Sequence, residues 1–143
     1  MKKAIGLGLL MLLLTGCNFG KAHDELSFSE VAFDSTDKDV QKFIADASKE
    51  NGVYLYDDSG ERWFVYLNAK MVEDGQAAYF TDFDVKGETD TVNLFFEQKS
   101  TDELDQQLKN QVLYEVKLDK PYDYMNLFKN NAETSFHTVS GSN

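Results

Sequence analysis

The sequence predicts an α+β fold that is mainly antiparallel β, with one N-terminal amphipathic helix followed by a curled sheet or small sandwich. Three observations predict this class. Apolar residues recur at helical spacing once, near residues 37–49, and from residue 53 onward their period drops to two. The strand-like stretches, about six or seven in number, are separated by short turn sequences. Such connections favour antiparallel pairing, because a parallel crossover needs a dozen or more residues.

The helix is predicted over Asp37–Lys49. Thr36 and Asp39 have the spacing of a capping box, and acidic residues in the first turn suit the positive end of the helix dipole. One apolar stripe at helical spacing follows, formed by Val40, Phe43, Ile44 and Ala47. We expect this stripe to pack on the core rather than to bind a partner.

The strands are predicted from runs of aromatic and branched residues bounded by turn residues. They cover Val53–Asp57, Glu61–Leu67, Gln76–Val85, Thr91–Gln98, Gln111–Leu118, Tyr122–Lys129 and Thr134–Val139. The segment Arg62–Leu67 is apolar on both faces, which indicates a central strand covered on both sides, one cover being the helix. In the third strand we expect Tyr79, Phe83 and Val85 to point inward together.

The first residues have the pattern of an export signal. A basic start at Lys2 and Lys3 precedes the apolar run Ala4–Leu14, which is too short to span a bilayer, and small residues precede the only cysteine, Cys17. The sequence Leu-Thr-Gly-Cys at 14–17 resembles the lipobox of bacterial lipoproteins at every position. This resemblance implies cleavage between Gly16 and Cys17 and attachment of a diacylglyceryl group, carrying fatty acids such as palmitate, to the Cys17 thiol.

Three parts of the chain follow from this reading. Residues 1–16 form a lipoprotein signal peptide that is removed, residues 17–33 form the lipidated N-terminus and a flexible tether, and residues 34–143 form one globular domain. Part of 26–33 docking as an edge strand is the alternative. The closing segment Tyr114–Asn131 resembles that of small lipoproteins of Gram-positive bacteria. The lipobox resemblance implies a location at the extracytoplasmic face of the cell membrane, held by the lipid.

The composition restricts the partners. Cleavage removes Lys2 and Lys3 from the 14 basic residues and leaves all 25 acidic residues, so the mature net charge is −13. Such a surface disfavours nucleic acid, whose phosphates require lysine and arginine. With Cys17 lipidated, no thiol is left for a disulfide or a thiolate metal site.

Acidic residues cluster at two turns. Asp57, Asp58 and Glu61 are close in sequence, as are Asp82 and Asp84, and converging oxygens of this kind can bind Ca²⁺. No stretch has the alternating ligands, central glycine and distal glutamate of an EF-hand loop. We therefore expect solvated turns, with no metal and no cofactor.

Catalysis is not predicted. Paired carboxylates could hydrolyse a glycosidic bond of the cell wall, but short connections leave little room for the cleft that such a site needs. His23 and His137 are far apart in the sequence and suggest neither a metal site nor a triad. We therefore expect no catalytic residues, and a wall hydrolase is the weakest of the hypotheses.

The aromatic residues are the most suggestive feature of the body. Trp63, Tyr66, Tyr122 and Tyr124 could form a face that stacks on sugar rings or grips a peptide, because their rings combine large area with a polar tip. The alternative is that they fill the core. The leading hypothesis is a non-catalytic, lipid-anchored module that binds another envelope protein or a wall component through its sheet. The alternative is a small-ligand or Ca²⁺-binding lipoprotein.

Overall fold

The computed structural model describes residues 25–141, which form nine strands and one α-helix. The predicted signal peptide, its predicted cleavage site at Gly16 and the predicted lipidation site at Cys17 lie outside the described residues. In chain order the elements are β1 (Ser27–Glu30), α1 (Lys38–Ala47), β2 (Gly52–Asp58), β3 (Arg62–Asn68), β4 (Ala77–Glu88), β5 (Thr91–Thr101), β6 (Gln111–Lys117), β7 (Tyr124–Lys129), β8 (Ala132–Thr134) and β9 (Thr138–Gly141).

The strands form two sheets. The first has the order β1-β6-β3-β2-β9 and the second the order β4-β5-β7-β8. The two sheets pack against each other around one apolar core, and α1 covers the other face of the first sheet, so the body has three layers. The mainly β character predicted from the sequence is confirmed.

Strand β3 shows why the first sheet is covered on both faces. Trp63 and Val65 belong to the core between the sheets, whereas Phe64 and Tyr66 belong to the cluster under the helix. All four side chains are buried. Because successive residues of a strand point to opposite faces, a strand that is apolar at every position needs two apolar neighbours. The prediction that this strand is central and covered on both sides is confirmed.

The helix occupies Lys38–Ala47, within the predicted range. Its N-cap is Asp37, whose carboxylate accepts a hydrogen bond from the Val40 amide at 3.1 Å, and the Thr36 hydroxyl instead donates to the Phe33 carbonyl. Val40 and Ile44 are buried against the sheet. An aspartate in this position satisfies an amide that the first turn would otherwise leave unpaired.

The strand count and the pairing differ from the expectation. Residues 25–141 form nine strands rather than about six or seven, because β1 precedes the helix and the last predicted strand is split into β8 and β9. Both sheets are mixed, since β5 pairs with β7 and β2 pairs with β9 in parallel. The chain passes from one sheet to the other before each of these pairs, which supplies the long crossover that parallel neighbours require.

Strand β4 contains a bulge that changes which residues face the core. The register with β5 shifts between Thr81 and Asp84, and Asp82 has a φ of 55°. Phe80 and Phe83 are consequently both buried, although their odd separation would place them on opposite faces of a regular strand. The expectation that Tyr79 shares a buried face with Phe83 is wrong for this reason, and Tyr79 is only partly buried.

Strand β1 lies inside the span 17–33 that was predicted as a tether. It pairs with β6 from Ser27 to Glu30, and Phe28 contacts Phe83 at 5.2 Å between ring centroids. Phe83 in turn stacks on Tyr114 at 4.0 Å with an interplanar angle of 6°. The alternative of an edge strand within 26–33 therefore describes this segment.

Candidate functional site

The helix leaves one margin of the first sheet open. It packs over β2 and β3, and a groove of about 450 Å³ remains between its flank and the outer strand β9. The volume lies within the range of about 300–1,000 Å³ that is usual for ligand sites. We call this space the helix–strand groove. Its walls come from α1 and from the segment after it, and its floor comes from β2 and β9.

The floor and one wall of the groove are aromatic. Phe43 on the helix contacts Tyr56 at 5.3 Å and Tyr54 at 6.5 Å between ring centroids. The Tyr54 hydroxyl donates to the Glu50 carbonyl at 2.7 Å, and burial together with the Glu50 charge raises the pKa of Tyr54. These three rings form the apolar surface of the groove, and the Tyr54 hydroxyl belongs to its polar rim.

The rim brings together two distant parts of the chain, the segment after the helix and the residue before β9. His137 Nε2 lies 3.3 Å from Glu50 Oε2, and its Nδ1 lies 3.2 Å from Thr138 Oγ1. The imidazole also lies 4.9 Å from the Tyr54 ring. Gly52 makes room for it, because a Cβ at this position would lie 3.0 Å from the Cβ of His137.

Charged side chains line the helix side of the groove. Asp39, Lys42, Asp46 and Lys49 face it, with Lys49 and Asp46 paired at 3.3 Å. Carboxylates outnumber ammonium groups once Glu50 is included. The groove can therefore hold an apolar or planar group on its floor while its rim accepts and donates hydrogen bonds.

The four aromatic residues predicted as a binding face do not come together. Trp63 and Tyr66 are buried on opposite faces of β3, so they cannot contact a partner in this fold. The Tyr66 hydroxyl donates to Gln111 Oε1 at 2.7 Å, and burial, with the nearby Tyr54, raises its pKa to about 12. These two residues belong to the core, which was the alternative interpretation.

The other two lie near the second sheet. Tyr122 is partly buried against the core between the sheets and donates to Asp119 Oδ1 at 2.8 Å; burial and this hydrogen bond raise its pKa to about 12. Tyr124 is 63 % exposed on β7. Its neighbours Asn126 and Phe128 point to the same outer face, away from Leu127 in the core. Neither residue borders the helix–strand groove.

The acidic turns are occupied by local contacts. Asp57 Oδ1 accepts from the Gly60 amide at 2.9 Å, Asp58 pairs with Arg62, and Asp84 Oδ1 accepts from the Val85 amide at 2.9 Å. Within residues 25–141, no group of three or more histidine, cysteine, aspartate or glutamate side chains is placed to hold a metal ion.

Sequence reasoning missed the groove because its parts are far apart in the chain. In the sequence, Phe43 belongs to the stripe that is expected to pack on the core, and His137 belongs to the last predicted strand. Alternation in the Gly52–Asp58 strand does place Tyr54 and Tyr56 on one face, and that was the one available signal.

Within the described part of the chain, no helix is both long enough and apolar enough to cross a membrane. No family model, no curated protein and no solved structure matches this chain.

Proposed function

We propose that this protein is a bacterial lipoprotein, held by a lipid at the extracytoplasmic face of the cell membrane. The support is the sequence at residues 14–17, where Leu, Thr, Gly and Cys match each position of a lipobox behind a basic start and an apolar run. Two acyl chains on one residue provide stable anchoring, since each buried methylene contributes about 0.8 kcal/mol.

We further propose that the body is a non-catalytic binding module and that the helix–strand groove is its binding site. The observation that supports this most directly is the aromatic floor of Tyr54, Tyr56 and Phe43 beside the outer strand β9. Aromatic rings at the base of a groove supply contact area, and a polar rim orients what binds there. The partner is another envelope protein or a component of the cell wall.

A small ligand is the second candidate, because the groove volume of about 450 Å³ suits one. A ligand that binds only the folded state raises its stability by mass action. Thermal melts of the purified protein against sugars, wall fragments and Ca²⁺ test this candidate. An increase in Tm that disappears in Phe43→Ala supports it, and no shift across the panel removes it.

The anchor is tested by mass spectrometry of the protein extracted from membranes. We expect the chain to begin at residue 17 with a diacylglyceryl group on sulfur, and Cys17→Ser to abolish both the modification and the membrane association. A native chain found in the medium with an unmodified Cys17, or found in the cytosol with Met1 in place, contradicts the proposal.

The groove is tested by site-specific photo-crosslinking in intact cells. A photoreactive residue replaces Lys42, which borders the groove, and in a matched control it replaces Lys86, an exposed lysine of the second sheet. We expect a discrete adduct from position 42 and none of the same mass from position 86. The same adduct from both positions, or none from either, contradicts a site in the groove.

A further inference from the structure

Strand β9 differs from the other sheet edges in the described part of the chain. Strand β4 carries a bulge with Asp82 in a left-handed conformation, β8 has only three residues, and β1 ends at Glu30, which pairs with Lys109. Bulges, very short strands and charged residues are devices that stop a sheet edge from accepting another strand. Strand β9, with the sequence Thr-Val-Ser-Gly, is itself only four residues long. What distinguishes it is that it has no charged residue, no proline and no bulge in its pairing with β2.

In the described part of the chain, β9 has a neighbouring strand on one side only. It pairs in parallel with β2 from Thr138 to Gly141, and it is the last strand in the order of its sheet. In a parallel pair only alternate residues direct their amide and carbonyl groups toward the neighbour, so the remaining residues of β9 direct theirs outward. Val139 beside this edge is 55 % exposed, an apolar side chain that an added strand would cover.

The helix–strand groove runs along the same edge. Thr138 and Ser140 line it, and because residues paired across a ladder share a face, they lie on the same side of the sheet as Tyr54 and Tyr56. A strand added to β9 would place every second side chain against the flank of α1, where Phe43 is the apolar contact.

The charge of the molecule restricts what such a strand contains. Asp39, Asp46 and Glu50 line the groove against two lysines, and the whole chain has 25 acidic and 14 basic residues. An acidic segment would meet like charges along the helix flank and across the rest of the surface, whereas a neutral or basic segment would not.

From these observations we propose that β9 accepts an extended peptide segment of another protein, neutral or basic in character, as the sixth strand of the first sheet. The backbone of the segment bonds to the outward groups of β9, and alternate side chains enter the groove. This inference rests on the proposed binding role of the groove and specifies both the class of partner and the way it binds.

The probe is a random library of twelve-residue peptides displayed on phage, selected against the full lipidated chain in detergent. The tightest binder is then synthesised in three forms: unmodified, N-methylated at its odd positions, and N-methylated at its even positions. In a strand at an edge only one of these two sets of amides faces β9. We expect one methylated form to lose affinity by about tenfold or more and the other to keep it within about threefold.

Substitutions in the protein provide the second measurement. Val139→Lys places a charge on the accepting edge, and the matched control Val72→Lys alters a valine that is 64 % exposed in a loop. We expect Val139→Lys to weaken the peptide by about tenfold and Val72→Lys to leave it unchanged, with both variants folded by circular dichroism.

The outcomes separate the two proposals. One outcome is a peptide that binds the Phe43→Ala protein more weakly but keeps its affinity in both N-methylated forms. This outcome supports binding in the groove and overturns strand addition. If no peptide from the library binds more weakly when Phe43 or Val139 is substituted, the strand-addition proposal is overturned. If the photoreactive residue at position 42 also gives no adduct in cells, the proposed binding role of the groove fails as well.

Discussion

Glu50 and His137 are separated by 87 positions in the sequence, and their side chains meet at 3.3 Å over the rim of the helix–strand groove. Glu50 follows the helix, and His137 immediately precedes β9. The His137 amide also donates to the Val53 carbonyl at 2.7 Å, so the histidine is held on both its backbone and its side chain. The contact fixes where the C-terminal strand enters the first sheet.

Gly52 determines whether this arrangement can form. Its φ is +155°, and a Cβ there would lie 3.0 Å from the Cβ of His137. We expect Gly52→Ala to lower the free energy of unfolding by about 1–3 kcal/mol, from backbone strain and the close contact. Urea unfolding measures this. In a His137→Gly background the close contact is absent but the strain remains, so Gly52→Ala should cost less there than it does in the parent. Gly52→Ala as stable as the parent would contradict this account.

Gly87 and Tyr122 form a second close pair. A Cβ on Gly87 would overlap the Tyr122 hydroxyl, which donates to Asp119 at 2.8 Å. We expect Gly87→Ala to cost about 1–3 kcal/mol by overpacking and Tyr122→Phe about 1 kcal/mol through the lost hydrogen bond. Because both changes act on one contact, the double variant should lose less than the two single losses combined. Strict additivity in thermal melts would show that the residues are independent.

Tyr66 makes the fold sensitive to alkali. Burial raises its pKa to about 12 from the ordinary 10.0, so the folded state keeps the proton in a range where the unfolded state releases it. The contribution of Tyr66 to the free energy of unfolding is fully present below pH 10. It declines as the pH rises toward 12, with a slope that approaches about 1.4 kcal/mol per pH unit. Urea unfolding across this range should be less steep in pH for Tyr66→Phe than for the parent. Tyr124→Phe, which alters an exposed ring, serves as the control and should match the parent.

Substitutions of Asp82 test whether the bulge of β4 requires a left-handed backbone conformation at this residue. With a φ of 55°, it occupies a region that glycine adopts without strain and that branched residues avoid. We expect Asp82→Gly to leave the stability unchanged or raise it by up to about 1 kcal/mol, and Asp82→Val to lower it by about 1–2 kcal/mol. Equal stability of the two variants in thermal melts would mean that this backbone conformation is not required.

Local patterns were sufficient for much of the fold. The apolar stripe beginning at Val40 predicted the position of the helix. The segment Arg62–Leu67, which is apolar on both faces, predicted the central strand, because each pattern reflects burial directly. The parallel pairing of β2 with β9 was not predictable in this way. It joins residues more than 80 positions apart, such as Tyr54 and Thr138, and no local period carries that information.

The site was harder to predict than the fold. Trp63 and Tyr66 were selected because large amphipathic rings are common at interfaces, yet the same rings fill cores when a strand is covered on both sides. The bulge in β4 had no distinct signal either, because an aspartate such as Asp82 tolerates the left-handed conformation in a turn as well as in a bulge. The groove depends on how far the helix extends over the sheet, which is a tertiary property.

If Cys17 carries the anchor that we propose, the pairing of β1 with β6 limits how far the body can move from a bilayer. Ser27 lies ten residues after Cys17, and a fully extended chain of that length reaches about 33–36 Å. Strand β9 is four places from β1 in the same sheet, a lateral distance of about 19 Å. With an acylated Cys17, the groove would stay within about 55 Å of that residue. Under the anchoring that we propose, a partner of the groove would have to come within that distance of the bilayer surface.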